Sequence, residues 1–172
     1  MRSIGITGPP SSGKTSLWRA VTGLEPKGDT GTVAVPDARL DALAEMQGSR
    51  TTTPVHVQVI DVHQTARTAP AAVARLREVD SVVMVIPALG GRRPSEIARK
   101  ELDDLLLADL GPIETRLIRA RKDKAARGEV PVLETASAWL EEGRLLRERQ
   151  WDASELQVFS AIAPITLKPL IV

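Results

Sequence analysis

Residues 8 to 15 read Gly-Pro-Pro-Ser-Ser-Gly-Lys-Thr, a complete G-x-x-x-x-G-K-[ST] pattern between an apolar run containing Ile4 and Ile6 and a helix-like run from Ser16 to Val21. A glycine-rich turn that joins a buried strand to a helix N-terminus aims backbone N–H groups and the positive helix end at one point. An anion fits there, and the lysine that follows points to the phosphates of a nucleotide such as GTP or ATP. The candidate phosphate-binding residues are Gly8, Pro9, Pro10, Ser11, Ser12, Gly13, Lys14, Thr15 and Ser16. Lys14 is the candidate catalytic cation, a mobile point charge able to reach the β- and γ-phosphates, and the Thr15 hydroxyl is a candidate ligand for Mg2+.

With 172 residues the chain can bury one substantial core. A net charge of +1 announces neither a polyanionic partner nor a membrane surface, although local clusters can still matter. The absence of cysteine excludes a disulfide framework and a thiolate metal site. No apolar run approaches spanning length and no cleavable leader precedes the first strand, so the expectation is a cytoplasmic protein with no membrane contact. Phe159, Trp18, Trp139 and Trp151 are the only aromatic residues, so the core must be largely aliphatic.

Strand-like and helix-like segments alternate through the first half. Thr32–Val35 reads as a strand, Pro36-Asp37 opens a helix carrying Leu40, Leu43, Ala44 and Met46, and Val55, Val57 and Val59 alternate into Ile60-Asp61. Residues 68 to 79 form a helix pattern with Pro70 in its first turn, and Ser81 to Ile86 is the nearly continuous apolar run of a central parallel strand. From Pro94 the pattern changes. Residues 95 to 126 make one long helical stretch with Leu102, Leu105, Leu106, Leu110, Ile113, Leu117 and Ile118 on its stripe, and a second helix follows with Leu133, Ala136, Leu140 and Leu146. A last helix over 152–161 and a returning strand over 167–172 close the chain. The expected fold is α/β: a P-loop NTPase of Ras-like type, a three-layer α/β/α mostly parallel sheet, with an inserted antiparallel α-helical hairpin. Its parts are a nucleotide-binding core over 1–94, the hairpin over 95–150, and a return helix and strand over 151–172.

Asp61 ends the third strand, where a P-loop NTPase places the carboxylate that holds Mg2+ through water. Thr30 and Thr32 lie in the connection where a switch threonine completes the metal shell, so the candidate metal set is Thr15, Asp61 and Thr30. His63 and Gln64 follow Asp61 and are candidates to orient an attacking water, against the alternative of two polar loop residues. His56, alternating with valines, reads as a sheet-face or edge residue, and Arg92-Arg93 as a solvated loop. The hairpin tip concentrates Arg116, Arg119, Arg121, Lys122, Lys124 and Arg127 around one acid, Asp123. Such a cluster can bind RNA phosphates by counterion release, or be a solvated helical face. With no aromatic residues interleaved, any RNA contact there is to backbone and shape.

Three stretches resemble the Obg family of translation-factor P-loop GTPases, specifically its YchF-type (Obg-like ATPase) branch. Ile4 through Leu17 is similar to the family's first strand and phosphate loop. Thr30-Gly31-Thr32-Val33 through Pro36-Asp37-Ala38-Arg39-Leu40-Asp41-Ala42-Leu43-Ala44-Glu45 is similar to its T-G-x-V-x-x-P-D-x-R-L-x-x-L-A-E segment, the most distinctive match. Glu101-Leu102, Leu107-Ala108-Asp109-Leu110 and Leu167-Lys168-Pro169 resemble its inserted helical arm and return strand. The resemblance implies a Ras-like domain with a coiled-coil arm, Mg2+-dependent hydrolysis of ATP or GTP, and ribosome association.

There are departures. The connection from Gly23 to Thr30 is shorter than the family's first switch. Gln64 stands where the D-x-x-G motif has glycine, the glycine-rich second switch is replaced by Thr65 to Pro70, and Ser11 replaces an asparagine that the family associates with potassium-assisted hydrolysis. No base-reading N-x-x-E or N-K-x-D segment and no TGS domain occur within these residues, so base choice is not assigned. The expectation is a slow, weak NTPase switch on the ribosome. The alternative is a degenerate pseudo-NTPase that binds and works through its arm without turnover, with a small P-loop kinase as a third reading.

Overall fold

The computed structural model describes residues 1–23, 28–62, 70–89, 91 and 93–172. Five strands form one sheet: β1 (Arg2–Thr7), β2 (Thr30–Ala34), β3 (His56–Asp61), β4 (Ser81–Met84) and β5 (Leu170–Ile171), in the order β2-β3-β1-β4-β5. β1 pairs in parallel with β3 and β4, β4 in parallel with β5, and β2 runs antiparallel to β3. The sheet is therefore mixed and mostly parallel, and its central strand is the one that feeds the glycine-rich loop. Both faces of β1 are covered, which is why Gly5, Ile6 and Thr7 are all buried.

Helix α1 (Lys14–Thr22) docks on the sheet through Trp18, 2% exposed, whose indole Nε1 donates to the Val59 carbonyl at 3.0 Å. That one side chain supplies a large apolar area and satisfies its own polar atom. Gly31 of β2 lies so close to Thr22 and Trp18 that only glycine passes there. Helix α2 (Ala38–Gln47) starts at Asp37, whose carboxylate accepts from the Arg39 amide, and buries none of its residues: Leu43 and Met46 of the expected apolar side are exposed. Helix α3 (Pro70–Glu78) packs Ala72 and Leu76 on Val62, Val79, Val82, Met84 and Leu105.

The helical pair has its own core. Helix α4 (Pro94–Lys122) and α5 (Val130–Glu141) enclose Leu106, Ile113, Leu117, Ala120, Leu133, Ala136 and Leu140. Several boundaries differ from expectation. α4 stops at Lys122, because the chain turns at Asp123, whose side chain accepts from the Ala125 amide. α5 ends before Leu146: Gly143 adopts φ 74° and the chain turns, leaving Leu146 buried on a separate short 3-10 turn. Trp139 and Trp151 pin this corner by donating to the carbonyls of Leu145 and Leu146. Helix α6 (Ala153–Phe159) is shorter than the 152–161 pattern and begins in a capping box between Asp152 and Glu155. The returning strand shrinks to two residues, since Ile165–Leu167 form a 3-10 turn and Pro169 cannot donate to a ladder. Ile118, placed on the buried stripe by its spacing, is 54% exposed. Among the described residues no helix is long and apolar enough to cross a membrane.

Candidate nucleotide-binding site

The loop between β1 and α1 opens at the carboxyl edge of the sheet, where parallel α/β folds bind ligands. Gly8 has φ 138°, and a Cβ there would lie 2.2 Å from the Val85 carbonyl oxygen. The loop can run beside β4 only without a side chain at this point. Gly13 caps α1 with φ 94°, and Ser11 adopts φ 59°, a left-handed conformation that asparagine or glycine would take at lower cost. Ser11 is exposed and Pro9 buried, and Ser12 Oγ, though buried, has no hydrogen-bond partner among the described residues. A buried hydroxyl left so is costly in isolation and suits a ligand with oxygen acceptors. The first bond within α1 is from the Leu17 amide to the Gly13 carbonyl, at 2.8 Å, so the amides of Lys14, Thr15 and Ser16 have no partner inside the helix.

Lys14 is 8% exposed, and its ammonium donates to the carbonyls of Gly8 at 3.0 Å and Pro9 at 2.7 Å, bridging the loop that precedes it. Burial lowers its pKa below the ordinary lysine value, while the charges of Asp61 and Glu101 oppose the shift. The site therefore concentrates one cation and two carboxylates in a poorly solvated place. Thr15 donates its hydroxyl to Asp61 Oδ2 at 2.7 Å, across 46 residues of sequence. Asp61 is 1% exposed. A hydroxyl and a buried carboxylate that already converge are hard oxygen donors of the kind Mg2+ takes. Among the described residues no group of three or more His, Cys, Asp or Glu could hold a metal unaided, so a Mg2+ shell here would be completed by phosphate and water oxygens.

The other anticipated residues divide. Thr30 begins β2, and its hydroxyl donates to Asp29, while the Asp29 carbonyl accepts from the Asp61 amide at 2.7 Å, so the Asp29-Thr30 pair borders Asp61 along the backbone. His63, Gln64 and Arg92 lie outside the described residues. His56 is exposed on the strand paired with β2, an edge strand. Glu101 was not anticipated as a site residue. A signal for it exists: residues 101, 105, 109, 113 and 117 are all buried at four-residue spacing, and two of the five are acidic. An acid on the buried stripe of a helix has to be paired or functional.

At the arm tip, Arg116 makes a bidentate pair with Glu129 at 2.7 and 2.6 Å, and Arg121 pairs with Glu134 at 2.8 Å. Both acids arrive from across the hairpin, so counting Asp123 alone understates the neutralisation. Arg119, Lys122, Lys124 and Arg127 are exposed and form no ion pair among the described residues.

No family model matches the chain. Curated proteins do. The chain is 31% identical over 196 residues to the ribosome-binding ATPase YchF of Haemophilus influenzae, covering 96% of this chain and 54% of that protein. It is 25% identical to the protein of the same name from Bacillus subtilis and 25% identical to Obg-like ATPase 1 of Schizosaccharomyces pombe, over 97% of this chain in each case. The solved structure of the Schizosaccharomyces pombe YchF GTPase superposes with a TM-score of 0.83 at 24% identity, over 99% of this chain and 55% of that one. The fold is thus that of a YchF P-loop GTPase. The chain spans about half the length of the curated relatives it matches.

Proposed function

We propose that this chain, a homologue of the YchF-type ATPases, binds ATP or GTP with Mg2+ in the loop from Gly8 to Ser16, hydrolyses it slowly, and acts as a ribosome-associated switch. The observation that carries this is the convergence of Thr15 and Asp61, at 2.7 Å, beside a buried lysine on a helix N-terminus. The sequence pattern supplies the loop and the candidate carboxylate, and the fold brings the two together.

The amides at the start of α1 and the Lys14 ammonium face the accumulating charge of a triphosphate in a poorly solvated site, where fixed donors are worth more than in water. Thr15 and Asp61 would hold Mg2+, which when bound neutralises phosphate oxygens and favours departure of the diphosphate. Hydrolysis adds water to the γ-phosphorus and breaks its bridging P–O bond, giving nucleoside diphosphate and inorganic phosphate. Lys14 would stabilise charge building on the bridging and γ oxygens, and His63 and Gln64 are the proposed residues for orienting the water.

Phosphate release should be measured with ATP and with GTP, with Mg2+ and potassium, in the absence and presence of ribosomes. Slow, Mg2+-dependent release is expected. Asp61→Asn should weaken Mg-nucleotide binding about 10- to 100-fold, the worth of one charge-assisted contact. It should leave binding in EDTA nearly unchanged. Binding without any turnover under all these conditions would instead establish a non-hydrolysing module.

The arm is the proposed contact with ribosomal RNA, through Arg119, Lys122, Lys124 and Arg127. Reversing Arg119, Lys122 and Lys124 to glutamate should weaken co-sedimentation with ribosomes and flatten its dependence on log salt by about 2 to 3 units of slope, one per phosphate released. The same substitution at Arg116 and Arg121 should act through hairpin stability instead. An unchanged salt profile for the triple variant removes this patch from the interface.

A further inference from the structure

α3 has two arginines two residues apart, which a helix directs to nearly opposite sides. Arg75 pairs with Asp29, whose carbonyl accepts from the Asp61 amide and whose carboxyl is held below the usual range by the Arg75 guanidinium. Arg77 faces the arm. Its guanidinium lies 3.1 Å from Asp109 of α4 and donates to the carbonyls of Ala108 at 2.7 Å and Ile162 at 3.0 Å. Asp109 is 0% exposed, and its other oxygen accepts from both the amide and the hydroxyl of Thr166, at 2.7 and 2.8 Å. Lys168 then donates to the carbonyls of Leu76, Arg77 and Val79 at the end of α3. A buried carboxylate with this many partners is expensive to place and strongly fixed once placed.

The other end of α3 is held differently. A cavity of about 480 Å3 separates Pro70, Val73 and Ala74 of α3 from Glu101, Asp104 and Ala108 of α4. α3 is therefore tied to the arm by polar bonds at its C-terminal end and by the apolar cluster that Ala72 and Leu76 share with Leu105, and the cavity, which Arg77 also lines, occupies the rest of the space between the two helices. Along its length it touches the nucleotide site through packing: Val62, next to Asp61 and 0% exposed, shares one apolar cluster with Ala72 and Leu76 of α3 and Leu105 of α4.

From this juxtaposition we propose that Arg77 and Asp109 are positioning residues for the nucleotide site. They lock α3 to the arm helix, so that α3 holds Asp29 and Val62, and through them Asp61, in register with the arm. The proposal rests on the nucleotide-binding function above and assigns its regulation: whatever moves α4 changes affinity at Asp61, and nucleotide binding biases the arm by the same factor, as linkage requires.

The test is the nucleotide affinity of the purified chain, by titration with Mg-ATP and Mg-GTP, for Arg77→Lys, Asp109→Asn and Thr166→Val beside wild type, with thermal melting of each. Arg77→Lys and Asp109→Asn should lose about five- to tenfold in affinity, within the usual range of coupling between sites. Thr166→Val should lose less. Hydrogen exchange on wild type provides the second measurement, which does not depend on any variant folding. Nucleotide should raise protection in α3 and in residues 104–112 of α4, far from the phosphates. Variants that melt lower but bind within twofold of wild type, or a wild type whose protection changes stop at the phosphate loop, would show Arg77 and Asp109 to be structural only and overturn the proposal. If wild type binds no nucleotide at all, the nucleotide function fails and this proposal with it.

Discussion

Lys14→Ala should nearly abolish the nucleotide-dependent rise in melting temperature while leaving the unliganded protein close to its original stability. Lys14 is 8% exposed and its ammonium spends its hydrogen bonds on two carbonyls of its own loop, so the folded chain loses little when a cation already disfavoured by burial is removed. The ligand loses much more. A charge-assisted contact is worth about 1.5–3 kcal/mol, and one lysine serving two phosphates in a poorly solvated site accounts for about 100- to 1000-fold in affinity. At a ligand concentration 100 times Kd, binding stabilises a fold by about 2.7 kcal/mol. For a chain of this size that is a shift of roughly 5–10 °C, readily seen by calorimetry. With affinity lowered about 100- to 1000-fold, the variant should keep at most about 0.4 kcal/mol of it, roughly 1 °C, at the same ligand concentration. An unaltered shift would mean that nucleotide binds elsewhere.

The second large effect is on folding. Gly8→Ala puts a methyl group 2.2 Å from the Val85 carbonyl oxygen at φ 138°, and the obstacle is backbone at the end of a central strand, not a side chain that can swing away. We expect a loss of about 3–5 kcal/mol, a large part of the total stability of an ordinary domain. Urea denaturation should rank three variants. Gly13→Ala has φ 94° but nothing within 4 Å of the new methyl, and should cost only the left-handed strain, about 1–2 kcal/mol. Gly128→Ala, in open space without a positive φ, should be near neutral. If Gly8→Ala and Gly128→Ala unfolded at the same urea concentration, the close approach of the loop to β4 would be wrong.

The order of elements and the phosphate loop were legible because they rest on local signals: alternation of apolar residues in strands, three-to-four spacing in helices, and a glycine pattern whose mechanism is local. Asp61 was also legible, as the residue that ends an alternating run. What could not be read was anything set by partners distant in sequence. Arg116 and Arg121 look like free cations until Glu129, in the turn before α5, and Glu134, on α5, fold back to them. Leu146 continues a helical spacing, but the left-handed Gly143 overrides it. Glu101 and Asp109 break an apolar stripe for reasons found on other elements, the phosphate loop in one case and Arg77 with Thr166 in the other. Propensity gives each segment its type, and tertiary packing decides where it stops.

The most direct measurement is calorimetric titration of the wild-type chain with ATP and GTP, each in Mg2+ and in EDTA, with Lys14→Ala and Asp61→Asn alongside. Saturable binding of at least one triphosphate at one site per chain is expected. It should be stronger in Mg2+, lost in Lys14→Ala, and in Asp61→Asn reduced towards the value in EDTA. Absence of heat and of any melting shift with every nucleotide, from a chain that is folded, would contradict the assignment of residues 8 to 15 as a phosphate-binding site.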